Sequence, residues 1–333
     1  MRQTFKTLLF PILALLAIAL PLLTSYEVRE WAADTFLPSR VHNADPTPPF
    51  TPTVTTAPAL RFIVVGDAGT GGRGQRQIAG SMARVAATDS TSLVLMLGDN
   101  FYERGVQSIT DPQWLDKFET VYHHPSLQIP FFAVLGNHDY HGNPQAQVDY
   151  TATSGRWVMP SRFYSRLFSV DDSTDVDLFF LDTNILSDMG RAVRDSASYM
   201  PQLRWLESEL KQSHARWKIV AGHHPVYSNG RHGNDPQLGQ LLEPLLVRHN
   251  VDIYLAGHDH DLQILEPVQG VYHIVSGAGG KDRDVDWKDN TIFAATRLGF
   301  VRITVSHANV IVEFFDRDGV RTFSHAIPKS TLR

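Results

Sequence analysis

Residues 60–99 read LRFIVVGDAGTGGRGQRQIAGSMARVAATDSTSLVLMLGD. The apolar run 60–65 predicts a buried strand, 75–88 carries the apolar spacing of a helix, and SLVLML at 92–97 predicts a second strand. Both strands end in Gly-Asp, at 66–67 and 98–99. Strand–helix alternation of this kind is the repeating unit of an α/β fold. Working outward, helices are expected at 114–122, 201–213 and 237–250, and strands at 130–135, 177–182, 217–221 and 252–256. Beyond them the pattern turns all-β, with runs at 271–276, 298–306, 309–316 and 320–325. An α/β beginning with a β-rich tail implies a mixed sheet, or a second sheet packed on the first.

The 333 residues are 43% hydrophobic and 20% charged with a formal net charge of -5, an ordinary balance for a folded chain. That length is enough to bury a large core. The slight acidity, without a run of Lys or Arg, argues against nonspecific nucleic-acid binding. There is no cysteine, which excludes disulfide scaffolds, thiolate metal sites and Cys nucleophiles. Fifteen histidines remain to be placed.

The N-terminus reads as a targeting segment. Arg2 and Lys6 precede an uncharged apolar stretch from Leu8 to Leu23, long for a signal-peptide core and short beside the roughly 20 residues of a membrane span. Residues 1–25 are therefore expected to be a signal peptide or an N-terminal membrane anchor, with the chain beyond them outside the cytoplasm. Residues 26–58 read as a linker whose Pro/Thr-rich end, DPTPPFTPTVTTAP at 45–58, can neither form a helix nor complete a sheet. The folded domain is expected over 59–333. The absence of any N-x-S/T acceptor, together with the absence of cysteine, suggests a bacterial envelope protein.

Five predicted strands end in Gly followed by a metal-ligand type: Gly66-Asp67, Gly98-Asp99, Gly136-Asn137-His138-Asp139, Gly222-His223-His224 and Gly257-His258-Asp259-His260. The C-terminal ends of strands form the ligand-binding crevice of an open α/β sheet, and Gly there turns the next side chain into it. One such end is an ordinary turn; five exceed what turn preference explains. Asp67, Asp99 and Tyr102 are hard oxygen donors suited to a trivalent ion, while the imidazoles of His223, His258 and His260 and the Asn137 carbonyl suit a divalent one. Two ions 3.5–4 Å apart, about the spacing of known bimetal sites, clamp a phosphoryl group and acidify a bound water. Fe(III) and M(II) against these anions leave about +2, the local positive charge an anionic substrate needs.

The five blocks resemble those of the metallophosphoesterase superfamily, and Tyr102 narrows the likeness to the purple acid phosphatases. Their blocks D-x-G, G-D-x-x-Y, G-N-H-D/E, V-x-x-H and G-H-x-H occur here in order, ending at Gly69, Tyr102, Asp139, His223 and His260. ALRFIVVGD, LGDNFYERGVQ, AGHHPVYS and VSGAG extend the likeness to the small, tartrate-resistant type over about 59–327. The resemblance implies an αββα sandwich of two mixed β-sheets. It implies that Asp67, Tyr102 and His260 hold Fe(III), that Asp99 bridges, and that Asn137, His223 and His258 complete a second site for divalent Fe, Zn or Mn. It implies hydrolysis of phosphate monoesters and phosphoanhydrides at acid pH by a metal-bound hydroxide, with inorganic phosphate as product. The chain itself is expected to be a monomer, exported by its N-terminal segment to the periplasm, secreted, or anchored to the outer face of the cytoplasmic membrane. His138 and His232 are the catalytic candidates, since His is the side chain most readily poised to donate a proton near working pH. His224 and Tyr140 stand where the small mammalian-type enzymes tend to carry Tyr and His, and the 183–200 loop is expected to be short.

Three other readings compete. Residues 69–74, GTGGRG, match a dinucleotide-binding turn with Asp99 ending the next strand, but that reading leaves Asn137, His138, His223, His258 and His260 without a task. A metal-bound adhesion or sensor module would have no need to keep every ligand and His138. A phosphodiesterase or nucleotide pyrophosphatase of the same superfamily is the nearest alternative chemistry.

Overall fold

The structure is a computed structural model that describes residues 58–88, 90–189 and 196–329. The targeting segment and all of the linker but its last residue lie outside the described residues, as do positions 190–195 of the 183–200 loop. Among the described residues no helix is long and apolar enough to cross a membrane.

Strand β1 (Leu60–Val65) pairs in parallel with β2 (Leu93–Met96), which pairs in parallel with β3 (Phe131–Ala133), and β4 (Trp157–Val158) closes that edge. These strands are continuous apolar runs because both faces are covered. On its other side β1 receives β12 (Gly299–Val305) antiparallel, Leu60 opposite Val305, followed by β13 (Asn309–Asp316) and β14 (Arg321–Pro328). The second sheet runs β11 (Thr291–Ala295), β9 (Leu262–Leu265), β10 (Tyr272–Ser276), β8 (Ile253–Ala256), β7 (Trp217–Ala221), β6 (Thr174–Phe180) and β5 (Tyr164–Asp171). Its centre, β10–β8–β7–β6, is parallel, and its flanks are antiparallel.

One core cluster joins residues of both sheets, including Phe62, Leu95, Phe131, Ile219, Ile274 and Phe314, so the sheets pack face to face. Helix α1 (Arg73–Thr88) buries Ile78, Met82 and Val85 against the first sheet. A short helix α2 (Pro144–Tyr150) buries Ala146 and Tyr150 in the same core. Helices α3 (Ser196–Gln212) and α4 (Pro236–Arg248) cover the outer face of the second sheet through Leu206, Leu210, Leu238, Leu242 and Phe179. Asp235 caps α4 by accepting from Leu238 N at 2.9 Å, with Pro236 in the first turn. The expected αββα sandwich of two mixed sheets is the architecture observed.

Several local bounds shift: the helix expected from 201 begins at Ser196, and the last strand runs on to Pro328. The helix expected over 114–122 is a π-turn at Leu115–Glu119, because Leu115 O accepts both the amide and the hydroxyl of Thr120, at 3.0 and 2.7 Å. The strand expected at 177–182 begins at Thr174 and ends at Phe180, leaving Leu181 and Asp182 to lead into the site. The GTGGRG stretch is a turn running directly into α1, with Gln75 Oε1 accepting from Gly71 N at 2.7 Å.

Candidate metal centre

The ends of β1, β2 and β3 in one sheet and of β7 and β8 in the other converge on a single point. Leu97 O, past the end of β2, lies 2.8 Å from His223 Nδ1, past the end of β7. Gly66 N donates to Ser276 O across the sheets at 2.7 Å. Three of the seven candidate ligands leave their strands in the left-handed backbone region: Asp67 at φ 56°, Asp99 at 51° and His258 at 67°. That turn aims each side chain inward instead of onto a sheet face. The approach is close enough that a Cβ on Gly136 would lie 2.1 Å from Asp99 Oδ1, so the third strand end must be glycine for the second to fit beside it.

Six of the seven donors fall into two triplets. In the first, Tyr102 Oη donates to Asp67 Oδ1 at 3.0 Å and lies 3.1 Å from His260 Nε2, which is 3.5 Å from Asp67 Oδ1. In the second, Asn137 Oδ1 is 3.1 Å from both His223 Nε2 and His258 Nδ1, which are themselves 3.2 Å apart. Asp99 stands between them, its carboxylate within 4.8 Å of that of Asp67 on one side and 3.7 Å from His223 Nε2 on the other. All seven except Asn137 are buried.

The electrostatics of this donor set calls for cations. Burial, then the charge of Asp99, holds the Asp67 carboxyl well above the usual carboxylate range. Burial also pushes Asp99 up, but the nearby His223 and His138 outweigh it and bring the carboxyl below its usual range. Burial, reinforced by the two carboxylates, raises the Tyr102 phenol. His258 and His260 are driven well below the ordinary imidazole range, first by burial and then by neighbouring His, Arg and Lys groups, and therefore stay neutral. His223 gives its Nδ1 proton to Leu97 O, so its Nε2 lone pair faces an amide oxygen and a second imidazole nitrogen. Opposed lone pairs and crowded buried carboxylates are costly alone and become ligands around metal ions. The residues present fit a dinuclear centre.

The two non-ligand histidines pack on different triplets of this cluster, His138 on Tyr102 and His232 on His258. The His138 ring lies 4.5 Å from that of Tyr102, its Nδ1 is 2.9 Å from Glu103 O, and its Nε2 is 4.0 Å from Asp99 Oδ2. The His232 ring lies 4.2 Å from that of His258, with Nδ1 2.8 Å from Asp259 Oδ1. His224 is fully buried, its ring 4.6 Å from His258 and its Nδ1 3.0 Å from Thr183 Oγ1. Tyr140 is half-buried and donates its hydroxyl to Asp182.

Sequence reasoning left two carboxylates without a task. Asp139 accepts from the amides of Gly136, Asn100 and Phe101 at 2.8, 3.1 and 3.2 Å, tying the end of β2 to the end of β3. Burial, then Asp99, raises its pKa to about 7. Asp259 is the second. Both occur inside the quoted blocks, which is the only signal that could have marked them.

The sequence pattern of the calcineurin-like phosphoesterases matches residues 60–262. The chain belongs to that family. It is 39% identical over 298 residues to tartrate-resistant acid phosphatase type 5 of Homo sapiens, covering 82% of this chain and 92% of that protein. With purple acid phosphatase 3 of Arabidopsis thaliana the identity is 35% over 278 residues, covering 77% of this chain and 74% of the relative. Among solved structures it resembles GAP50, the anchor in the inner membrane complex of Plasmodium, with a TM-score of 0.75 and 26% identity over 82% of this chain and 90% of that one. Within the calcineurin-like phosphoesterases the chain is of the purple, tartrate-resistant acid phosphatase type: a phosphoric monoester hydrolase with a dinuclear metal centre, acting on phosphorylated substrates and releasing phosphate.

Proposed function

We propose that Asp67, Tyr102 and His260 hold Fe(III), that Asn137, His223 and His258 hold a divalent Fe, Zn or Mn, and that Asp99 is shared between them. The observation that carries this reading is the division of the donors into an anionic, oxygen-rich triplet and a neutral, nitrogen-rich one, with one carboxylate lying beside both. When bound, such a pair supplies charge to the phosphoryl oxygens and acidifies a water for in-line attack. The remaining chemistry falls to the chain. Asp99 and Asp139 fix the backbone of the 136–139 turn, through His138 N at 2.8 Å in the first case, so His138 is held where it can protonate the departing alkoxide. His232, packed on His258, binds and orients a phosphoryl oxygen.

The test is colour. A phenolate on Fe(III) absorbs in the visible through charge transfer, so the oxidised protein is expected to be purple or pink. Tyr102→Phe is expected to lose that band while folding normally, since it removes one hydroxyl from an otherwise unchanged ring. A wild-type spectrum in the variant, with iron still bound, would overturn the assignment of Tyr102.

We also infer that 59–333 is a monomeric catalytic domain, exported behind residues 1–25 and tethered or released through 26–58. What supports this is the charge asymmetry of Arg2 and Lys6 around the apolar stretch at 8–23. A C-terminal alkaline phosphatase reporter on the full chain is expected to be active, because that reporter works only outside the cytoplasm; an inactive fusion at normal expression would refute export. The mass of the mature N-terminus separates a cleaved signal from a retained anchor.

A further inference from the structure

Asp259 lies between two proposed ligands in sequence, yet its carboxylate is committed to a different part of the chain. Its Oδ1 accepts from His232 N at 2.9 Å and lies 2.8 Å from His232 Nδ1, while its Oδ2 accepts from the Ser228 hydroxyl. Ser228 Oγ accepts in turn from Gly230 N and from Gln263 Nε2, both at 2.9 Å, and Gln263 Oε1 accepts from Asn229 N at 2.9 Å. The whole 228–232 loop is thereby clamped onto the segment that follows β8. The clamp depends on a glycine: a Cβ at Gly230 would lie 2.5 Å from Asp259 Cγ and 2.4 Å from Asp261 Oδ2. Asp259 is 1% exposed, so its contact with the imidazole is shielded from water and carries more weight than a surface pair.

We propose that Asp259 is the positioning residue for His232. A carboxylate on Nδ1 fixes the proton there, sets the tautomer and holds the ring, so that the chemistry at the substrate falls to Nε2. The inference rests on the role given to His232 above. It assigns to this chain an Asp–His pair beside the metal centre, its carboxylate buried and its imidazole partly exposed, working through orientation and without ligating either ion.

A double-mutant cycle on the metal-loaded full chain tests it, with glycerol 2-phosphate as substrate and rates normalised to bound metal. Asp259→Asn keeps the shape but can turn an amide N–H toward Nδ1, which reverses the tautomer. Both metals should remain, and kcat/KM should fall by about 10- to 100-fold, the usual loss when the partner that orients a functional imidazole is removed. In a His232→Ala background the same substitution should cost less than about twofold, because the ring it orients is gone. Ser228→Ala, which loosens the carboxylate without leaving an amide beside Asp261, should show the same non-additivity at smaller size, and serves if Asp259→Asn fails to fold. Full additivity of either cycle, or metal loss in proportion to lost activity, overturns the inference. His232→Ala with wild-type kinetics would remove the role of His232 itself and this inference with it; an impaired His232→Ala with an additive cycle removes the inference alone.

Discussion

Asp99→Asn is expected to abolish turnover under every metal loading, with a loss of about 10³-fold or more. Asp99 lies beside both triplets, within 4.8 Å of the Asp67 carboxylate and 3.7 Å from His223, so its charge is the one feature that both proposed ions share. Charge stabilisation by a metal ion amounts to several kcal/mol, and each 1.4 kcal/mol is about a factor of ten in rate. The fold should survive. An Asn oxygen can still accept from His138 N, and removing the Asp99 charge relieves the repulsion that helps hold Asp67 above its usual range. In the wild type the matching result is that exhaustive chelation stops hydrolysis, and that refilling both sites restores it where one ion alone does not. Turnover by a verified metal-free sample would sink the dinuclear reading, as would near-normal rates in Asp99→Asn.

His138→Ala is expected to keep both metals and to lose kcat by about 10²–10⁴ with alkyl phosphates, the usual cost of removing a general acid. The loss should shrink with p-nitrophenyl phosphate, whose leaving group needs no proton. The geometry sets this pattern. His138 Nδ1 is engaged with Glu103 O, and Nε2 lies 4.0 Å from Asp99, beyond any hydrogen bond yet beside the carboxylate proposed to be shared by the two ions. His138 N, by contrast, is what Asp99 holds, and the alanine variant keeps that amide. Activity falling in step with lost metal, or falling equally for both leaving groups, would make the residue structural.

The site was legible because its residues announce themselves at strand ends: a continuous apolar run, a glycine, then a side chain of ligand type. The inner strands β1, β2, β7 and β8 were legible for the same reason, being buried on both faces. Strand β5 was not, because at the sheet edge every residue after the buried Tyr164 is exposed or half-buried, in no period-two pattern, and Ser, Arg and Asp interrupt the apolar ones. Strand β9 was hidden by its neighbourhood, starting only two residues after His260, where the ligand motif dominates the reading. The pairing of β1 with β12 joins residues more than 200 positions apart, a register that no local pattern encodes. The tasks of Asp139 and Asp259 were invisible for a related reason. What they hold is backbone amides and a loop imidazole, and such partners leave no residue type to recognise.

The left-handed turns at Asp67, Asp99 and His258 bear on how such a molecule can change over generations. Each is a conformation that a side chain with a Cβ adopts at a cost of about 1–3 kcal/mol, and each carries a buried carboxylate or imidazole as well. Glycine at any one of them relaxes the turn and removes the buried group in a single substitution. The route away from catalysis therefore runs downhill in folding free energy, while the route toward it climbs. A lineage released from selection for turnover would drift to a sturdier, metal-free scaffold.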